Sequence, residues 1–322
     1  MHPDWLAWLL QQGAALHADT VQHFGDPAAE LAAACNGTVL CDLGHFGLVN
    51  ISGSDAPAYL QNLVSSDVRD VTPKHAQISS LNSPKGRVIA SFMLWQATSD
   101  YFMHLPRNLC EPLRKRLSMY VLRSKVKISD ASNDRVCLGI AGPDAAGLLQ
   151  NKLGSPPQQI WDVTQHGTTT IICIAIHQFL ICSTPQHAPE LWQTLSAGAR
   201  PAGSACWDWL TLRAGLPVIL PATQEQFVPQ MVNLELLGGV SFKKGCYPGQ
   251  EIVARMQYLG KLKRRMYLAH AEGDSAPQAG DALYSADIED QASGMVVNAA
   301  PAPGGGHDLL AVVQTASRET QG

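Results

Sequence analysis

Residues 240–255 read Val240-Ser241-Phe242-Lys243-Lys244-Gly245-Cys246-Tyr247-Pro248-Gly249-Gln250-Glu251-Ile252-Val253-Ala254-Arg255. Two glycines bracket a cysteine and a tyrosine, and glycine lets a backbone take positive φ or approach a ligand closely. A lysine beside a thiol favours the thiolate, and a helix beginning at Gln250 would add positive potential near Cys246. The stretch is therefore either a turn with a buried cysteine and solvated lysines, or a site in which Lys244 activates Cys246.

The charge around this stretch is unevenly distributed along the chain. Residues 241–265 hold seven Lys and Arg against Glu251, and residues 107–127 hold seven against Glu111. Each segment carries +6, and because the whole chain totals −4, the remaining residues sum to −16. This pattern excludes a generally basic protein that coats nucleic acid, and it favours an anionic partner at one of the two segments.

The composition predicts a globular protein without a membrane segment. The 322 residues are 46% apolar and 16% charged, enough for two or three domains. The first five residues carry no Lys or Arg, and the most apolar stretch, residues 171–182, is far shorter than the ~20 residues of a membrane span. Eight cysteines form no C-x-x-C pair. We therefore expect a soluble cytoplasmic protein with reduced thiols.

The hydrophobic pattern divides the chain into three parts. Residues 1–37 predict an N-terminal helical extension, because their apolar residues fall near a 3.6-residue period. Residues 38–262 alternate short strands and helices with hairpin-like pairs, which favours the α+β class over a doubly wound sheet. Residues 263–322 show only strand patterns separated by Gly and Pro, which predicts a small C-terminal β-barrel.

Several motifs together resemble the YgfZ family, the folate-binding branch related to the glycine-cleavage T-protein. The specific part is the string from Lys244 to Glu251, which reads K-G-C-Y-P-G-Q-E. Further matching strings lie at residues 48–55, 59–61, 84–87, 124–128, 138–142, 212–217, 227–230, 233–234 and 238–242. The resemblance covers residues 38–270 well.

This resemblance implies a three-part ring, in which two interleaved α+β units within 38–262 and the C-terminal barrel surround bound tetrahydrofolate. It implies an accessory protein for assembly, maintenance or repair of iron–sulfur proteins, including enzymes that modify tRNA. Its partners would be folate and those client proteins.

The resemblance also assigns candidate site residues. Phe46 and Trp207 would lie against the pterin, and Arg213 would pair with a folate carboxylate. Core packing of either aromatic, and capping of a helix by Arg213, remain open. Cys246 and Lys244 are the candidate catalytic pair and would handle sulfur, iron or a one-carbon unit transiently. The other motif positions are Gly245, Tyr247, Gly249, Gln250, Glu251 and Arg255.

The chain departs from the T-protein at one decisive place. Aminomethyltransferases carry an Asp pair where this chain has Ala90 and Ser91. Without a carboxylate there is no evident general base at this place. Folate-dependent aminomethyl transfer is therefore the alternative function and not the leading one.

A third possibility is nucleic-acid binding through the basic segments, and 107–127 is the candidate surface for such an anionic partner. No His or acid spacing indicates a tetrahedral metal site.

Overall fold

The computed structural model describes residues 1–260, 262–273, 275–286 and 291–316, so Lys261 of the second basic segment lies outside the described residues. The helices are α1 (Pro3–Gln11), α2 (Pro27–Asn36), α3 (Ala56–Gln61), α4 (Arg107–Ser118), α5 (Ala145–Leu153), α6 (Ala188–Ser196), α7 (Ser204–Arg213) and α8 (Gln250–Tyr258). The strands are β1 (Ala15–His17), β2 (Thr20–His23), β3 (Val39–Asp42), β4 (Phe46–Ser52), β5 (Gln77–Asn82), β6 (Val88–Ala97), β7 (Asp100–Pro106), β8 (Lys127–Asp130), β9 (Val136–Ala141), β10 (Val163–His166), β11 (Thr169–Ala175), β12 (Gln178–Ser183), β13 (Arg200–Ala202), β14 (Arg264–Ala271), β15 (Ala282–Leu283), β16 (Gly294–Pro301) and β17 (His307–Gln314).

Two larger sheets form the body of the molecule. One has the order β5-β6-β7-β4-β8, and the other has the order β10-β11-β12-β9-β3-β13. Strand β13 runs parallel to β3, whereas the other pairs in these sheets are antiparallel. The chain leaves the second sheet after β3, builds the first sheet from β4 to β8, and returns with β9 beside β3. Helices thus combine with mainly antiparallel sheets, as the predicted mixed class requires.

Two helices connect these sheets to the rest of the molecule. Helix α4 buries Leu109, Leu113 and Leu117 against β4 and β8, because these residues recur at helical spacing on one face. Helix α7 contacts β3 as well as β16 and β17. It therefore links the second of the two sheets to the C-terminal strands.

The N-terminal segment differs from the predicted helix. Helix α1 ends before Gly13, which has a φ of 86°, and Ala18 and Asp19 take positive φ in the two-residue turn between β1 and β2. Two consecutive left-handed residues make the tight turn of a hairpin, so the helical prediction is wrong over β1 and β2. The carboxylate of Glu30 fixes this region by accepting the backbone N–H groups of Phe24 (2.7 Å) and Gly203 (2.9 Å).

The C-terminal strands form an open sheet rather than the predicted closed barrel. The order is β14-β17-β16-β15, with antiparallel pairs throughout. Strand β15 has two residues, and no pairing joins it to β14 within the described part of the chain. The sheet is therefore a half-barrel. Residues 287–290 and 317–322 of the predicted barrel lie outside the described residues.

Candidate functional site

A cavity of about 610 Å³ opens where β4, β7, α7 and the C-terminal sheet meet. Its volume and its mixture of apolar and polar lining are typical of a small-molecule site. The lining residues are His45, Phe46, Pro106, Asn108, Asp208, Thr211, Leu212, Leu216, Val218, Leu220, Pro221, Ala222, Ala276, Pro277, Gln278, Ala279, Asn298, Ala299, Ala300, Pro301 and His307. Of the predicted folate contacts, Phe46 lies in this wall.

A short turn after β3 presents His45 and Phe46 to the cavity. The buried carboxylate of Asp42 accepts the indole N–H of Trp5 (2.8 Å) and the backbone N–H of Gly44 (2.9 Å). Burial raises the pKa of Asp42, while these hydrogen bonds act in the opposite direction. A Cβ at position 44 would lie 2.2 Å from Met1 Cε and 2.7 Å from the Asp42 carboxylate, so any larger residue would displace these side chains. Asp42 is therefore a structural anchor of this turn.

A smaller chamber of about 40 Å³ continues inward behind Phe46. It shares Phe46, Pro106, Thr211, Leu216 and Val218 with the main cavity, and its wall also includes His104, Trp161 and Trp207. The indole of Trp207 is 1% exposed and packs against Gly139, where a Cβ would lie 2.3 Å from the ring. The structure thus brings Phe46 and Trp207 to one pocket, with Trp207 forming part of its inner wall.

Buried polar atoms without partners gather around these two spaces. Among the described residues they include Nδ1 of His45, both ring nitrogens of His104, Oγ1 of Thr211 and Nδ1 of His307. Each such group costs about 1–3 kcal/mol relative to a hydrogen-bonded one. Sequence reasoning did not select His104 or Thr211. The only signal for His104 was one titratable side chain inside an otherwise apolar strand.

His45 and Asp208 form a polar pair at the cavity. His45 Nε2 lies 3.1 Å from Asp208 Oδ1 and connects the turn before β4 to α7. The imidazole of His45 also packs against Phe46, with ring centres 4.6 Å apart. Because His45 and Asp208 both line the cavity, a bound ligand would lie next to an imidazole and a carboxylate.

The loop that carries the K-G-C-Y string exposes Cys246 to solvent. Gly245 and Lys243 beside it are exposed as well. Gln250 begins α8 and closes the loop, because its side-chain amide donates to the carbonyl of Lys244 at 3.5 Å. The loop therefore presents the thiol on the surface, and none of its residues lines the main cavity.

Lys244 points away from solvent and holds the loop in place. Its ammonium is buried, donating to the carbonyls of Val64 (2.7 Å) and Ser66 (2.8 Å) and lying 5.3 Å from the ring centre of Tyr247. Burial lowers the pKa of Lys244 to about 8. In the described part of the chain, Cys246 makes no hydrogen bond or ion pair with Lys244. Lys244 therefore anchors the loop, and these contacts do not support the expectation that it activates the Cys246 thiol.

The other motif residues divide into buried and exposed positions. Burial raises the pKa of Tyr247 to about 12, and its buried hydroxyl has no partner among the described residues. Glu251 and Arg255 lie on the exposed surface of α8. Tyr247 therefore packs beneath the loop as a buried side chain, whereas Glu251 and Arg255 are accessible to a partner.

Two glycines join the motif to the turn between β5 and β6. Gly249 has a φ of 77°, and a Cβ there would lie 2.4 Å from the carbonyl oxygen of Ser83 and 2.6 Å from Cα of Gly86. Gly86 has a φ of 68° and packs against Ile252 and the Gly249 carbonyl. Only glycine permits this approach of two backbones, which explains why the K-G turn and the K-G-C-Y string occur together.

Comparison with known proteins identifies the family. Residues 20–244 match the family model described as the GCVT N-terminal domain. The tRNA-modifying protein YgfZ of Shigella boydii serotype 4 (strain Sb227) is 35% identical over 246 residues, which is 76% of this chain and 75% of that protein. The chain belongs to the YgfZ family. The protein of the same name from Escherichia coli O157:H7 (strain EC4115 / EHEC) is also 35% identical over 246 residues, with the same coverage of both chains.

A solved structure supports the fold of this YgfZ family member. Glycine cleavage system aminomethyltransferase T from Bartonella henselae superposes with a TM-score of 0.79, covering 95% of this chain and 88% of that chain. The two sequences are 18% identical. This likeness shows a shared T-protein-like fold.

Ala90 and Ser91, where the acid pair of aminomethyltransferases is expected from the sequence, have a structural environment in this YgfZ family member. Ala90 and Ser91 are both buried on β6. The Ser91 hydroxyl donates to the carbonyl of Pro217 (3.0 Å) and accepts the backbone N–H of Ile219 (3.1 Å). Ser91 therefore links β6 to residues 217–219, and neither position provides an acid.

Arg213 lies at the C-terminal end of α7 and faces the C-terminal sheet. Its guanidinium is 3.9 Å from Asp308, whose carboxylate also contacts His270 and the indole N–H of Trp209, each at 2.8 Å. Burial alone would raise the pKa of Asp308, but these contacts lower it. Arg213 does not line the cavity, so the structure does not bring it together with Phe46.

Some basic side chains of the segment 107–127 have partners within the protein, and others form no salt bridge with the described residues. Arg107 donates to the carbonyl of Gly44 at 2.7 Å, and Glu111 pairs with Arg114 and Lys115. Four cations make no salt bridge with the described residues, namely Arg116, Arg123, Lys125 and Lys127. The exposed side chains Met119, Tyr120 and Leu122 lie between them in sequence. The end of α4 and the loop after it remain the candidate surface for an anionic partner.

Among residues 1–260, 262–273, 275–286 and 291–316, no group of three or more His, Cys, Asp or Glu side chains could hold a metal ion. No helix within these ranges is long and apolar enough to cross a membrane.

Proposed function

We propose that this YgfZ family protein is a cytoplasmic, folate-binding accessory factor for the assembly, maintenance or repair of iron–sulfur proteins. The observation that carries the proposal is the cavity where β4, β7, α7 and the C-terminal sheet meet, which is bordered by Phe46 and by buried polar atoms without a partner among the described residues. A separate surface of the same chain presents the Cys246 thiol. The relatives named tRNA-modifying proteins support clients among the enzymes that modify tRNA.

The residues around the cavity fit a folate. A volume of about 610 Å³ is in the range that encloses a ligand of this size. His104 stacks on Phe46 with ring centres 4.7 Å apart and His45 packs on it at 4.6 Å, while Phe46 still borders both the main cavity and the inner chamber as an apolar contact. Thr211 Oγ1 and the free nitrogen of His45 offer hydrogen bonds inside it. Tetrahydrofolate would supply one-carbon chemistry when bound.

Cys246 and the α8 surface form the proposed contact with clients. The thiol is exposed, on a loop fixed by Lys244 and by the Gly86–Gly249 contact, so it is held out without being buried in the core. Cysteine thiolates are natural ligands of iron in clusters. In this proposal Cys246 contacts iron or sulfur of a client cluster while Glu251 and Arg255 contact the client protein.

A titration with tetrahydrofolate, monitored by tryptophan fluorescence, tests whether the protein binds folate. Because Trp161 and Trp207 both line the inner chamber, wild-type protein should show a saturable signal that decreases in Trp207→Phe and is largely lost in Trp161→Phe/Trp207→Phe. Trp8→Phe is the matched control, since Trp8 packs on Trp5 and Trp192 away from the cavity. Absence of saturable binding by both fluorescence and calorimetry would reject the folate proposal.

Genetic complementation tests whether the function requires the Cys246 thiol. In cells lacking the protein, Cys246→Ala should fail to restore the activity of an iron–sulfur enzyme that modifies tRNA. Cys35→Ala is the control, because Cys35 is also exposed and free. Full rescue by Cys246→Ala would remove the thiol from the function.

Aminomethyl transfer is the second candidate, favoured by the shared fold with an aminomethyltransferase. Ala90 and the hydrogen-bonded Ser91 provide no carboxylate at the required place. We therefore expect no glycine-cleavage turnover with a lipoyl carrier protein and tetrahydrofolate. Measurable turnover would make aminomethyl transfer the leading function.

A further inference from the structure

Within the described part of the chain, two buried polar side chains of the inner chamber have no hydrogen-bond partner, whereas a third polar side chain there has two. His104 is 2% exposed and neither ring nitrogen forms a hydrogen bond, and Thr211 is 7% exposed with an unpartnered Oγ1. Ser91 lines the same chamber and has both its hydrogen bonds made within the protein. The fold is therefore able to pair polar groups here, and it leaves His104 and Thr211 unpaired.

The His104 ring is held in a fixed orientation and in its neutral form. It stacks on Phe46 with an interplanar angle of 19° and lies 6.5 Å from the Trp95 ring. Burial, followed by the nearby His45, lowers the pKa of His104 to about 3. A neutral imidazole has one N–H donor and one acceptor, and the Thr211 hydroxyl can act as either. The chamber therefore offers donors and acceptors together on an otherwise apolar, aromatic wall.

The size of the inner chamber limits which part of a ligand can reach His104 and Thr211. The chamber has about 40 Å³, whereas the main cavity has about 610 Å³, and Phe46 and Thr211 border both. The chamber has room for the edge or a substituent of a ring, and the main cavity has room for the rest of the molecule. Its wall contains no carboxylate or ammonium, so a neutral polar edge matches it better than a charged group.

We infer that His104 and Thr211 are specificity-determining residues that hydrogen-bond the polar edge of a flat heteroaromatic ring inserted past Phe46. The inference rests on the proposed function, in which that ring is the pterin of tetrahydrofolate. The para-aminobenzoylglutamate portion would remain in the main cavity. Discrimination follows because a ring without polar edge atoms would leave both groups unpaired.

The test measures binding and ligand-free stability in the same variants. His104→Phe keeps a ring against Phe46, and Thr211→Val keeps the shape of the side chain. We expect each to weaken tetrahydrofolate and a simple tetrahydropterin at least tenfold, and to bind para-aminobenzoylglutamate as wild type does. Without ligand, each variant should melt at the same or a higher temperature, because an unpartnered buried polar group has been removed.

Thr164→Val is the matched control, because Thr164 on β10 also has an unpartnered hydroxyl but does not line either space. It should leave all three affinities unchanged. Tetrahydropterin affinities that stay at the wild-type value in both His104→Phe and Thr211→Val overturn the inference while the proposed function stands. Both variants melting well below wild type without ligand would show a structural role and also overturn it. Failure of the wild-type protein to bind tetrahydrofolate overturns the proposed function itself and this inference with it.

Discussion

Gly249→Ala should destabilise the protein far more than Gly245→Ala, although both glycines belong to the same K-G-C-Y-P-G string. At Gly249 the left-handed backbone costs an L-residue about 1–2 kcal/mol. The added Cβ would lie 2.4 Å from the Ser83 carbonyl oxygen and 2.6 Å from Gly86 Cα, so two backbones must separate. Overpacking of this kind costs about 1–3 kcal/mol more. We expect a total loss of about 3 kcal/mol.

Gly245 supplies the control within the same loop. Its φ is not positive, and a Cβ there would meet no atom within 4 Å. Gly245→Ala should therefore change the free energy of unfolding by less than about 0.5 kcal/mol. Urea unfolding of both variants measures the difference, and the reaction rate of Cys246 with a thiol reagent reports whether the loop has moved.

The double variant Gly86→Ala/Gly249→Ala sharpens the test. Because both Cβ atoms would separate the same two backbones, the combined loss should be smaller than the sum of the two single losses. Equal stability of Gly249→Ala and Gly245→Ala would refute the reasoning, as would full additivity in the double variant.

Three further perturbations test the electrostatics of the fold. Because burial lowers the pKa of Lys244 from 10.5 to about 8, the unfolded chain binds this proton more tightly between those values. Stability should therefore rise with pH across that window in wild type relative to Lys244→Met, measured by urea unfolding. Hydrogen bonds from Arg69 hold the pKa of Asp67 well below its usual range, so this carboxylate stabilises the native state above about pH 4 and loses that contribution as the pH falls. Arg69→Ala should shift the acid-unfolding midpoint to higher pH, and an unchanged midpoint would contradict the assignment. Glu30→Gln leaves one backbone donor, from Phe24 or Gly203, without its acceptor, and calorimetry should show a loss of about 2 kcal/mol, whereas an unchanged melting temperature would exclude the anchoring role.

Local patterns predicted the elements that depend on nearby residues. Short strand and helix patterns predicted the mixed class of residues 38–262, and the K-G-C-Y string predicted that α8 begins at Gln250. The hairpin of β1 and β2 was missed because its turn uses Ala18 and Asp19, neither of which is a strong marker of positive φ. The half-barrel was missed because strand patterns do not reveal whether edge strands meet.

The parts of the site that were missed depend on contacts between distant positions. Lys244 meets Val64 and Ser66, about 180 residues earlier in the chain, so its neighbours in sequence suggested the nearby thiol instead. The pairing of His45 with Asp208 likewise joins a turn to a distant helix. His104 carries no motif at all, and only its burial without a partner draws attention to it.

Strand β6 connects the two regions on which the function depends. Its first residue, Val88, follows the turn in which Gly86 packs against Gly249, and Ser91, Phe92 and Met93 further along line the inner chamber. Three to five residues of extended chain span about 10–17 Å. In the proposed function, a ring bound in the chamber and a client bound at the Cys246 loop would therefore act on different ends of the same strand. A shift of β6 along its own length is then the most direct way for one to influence the other.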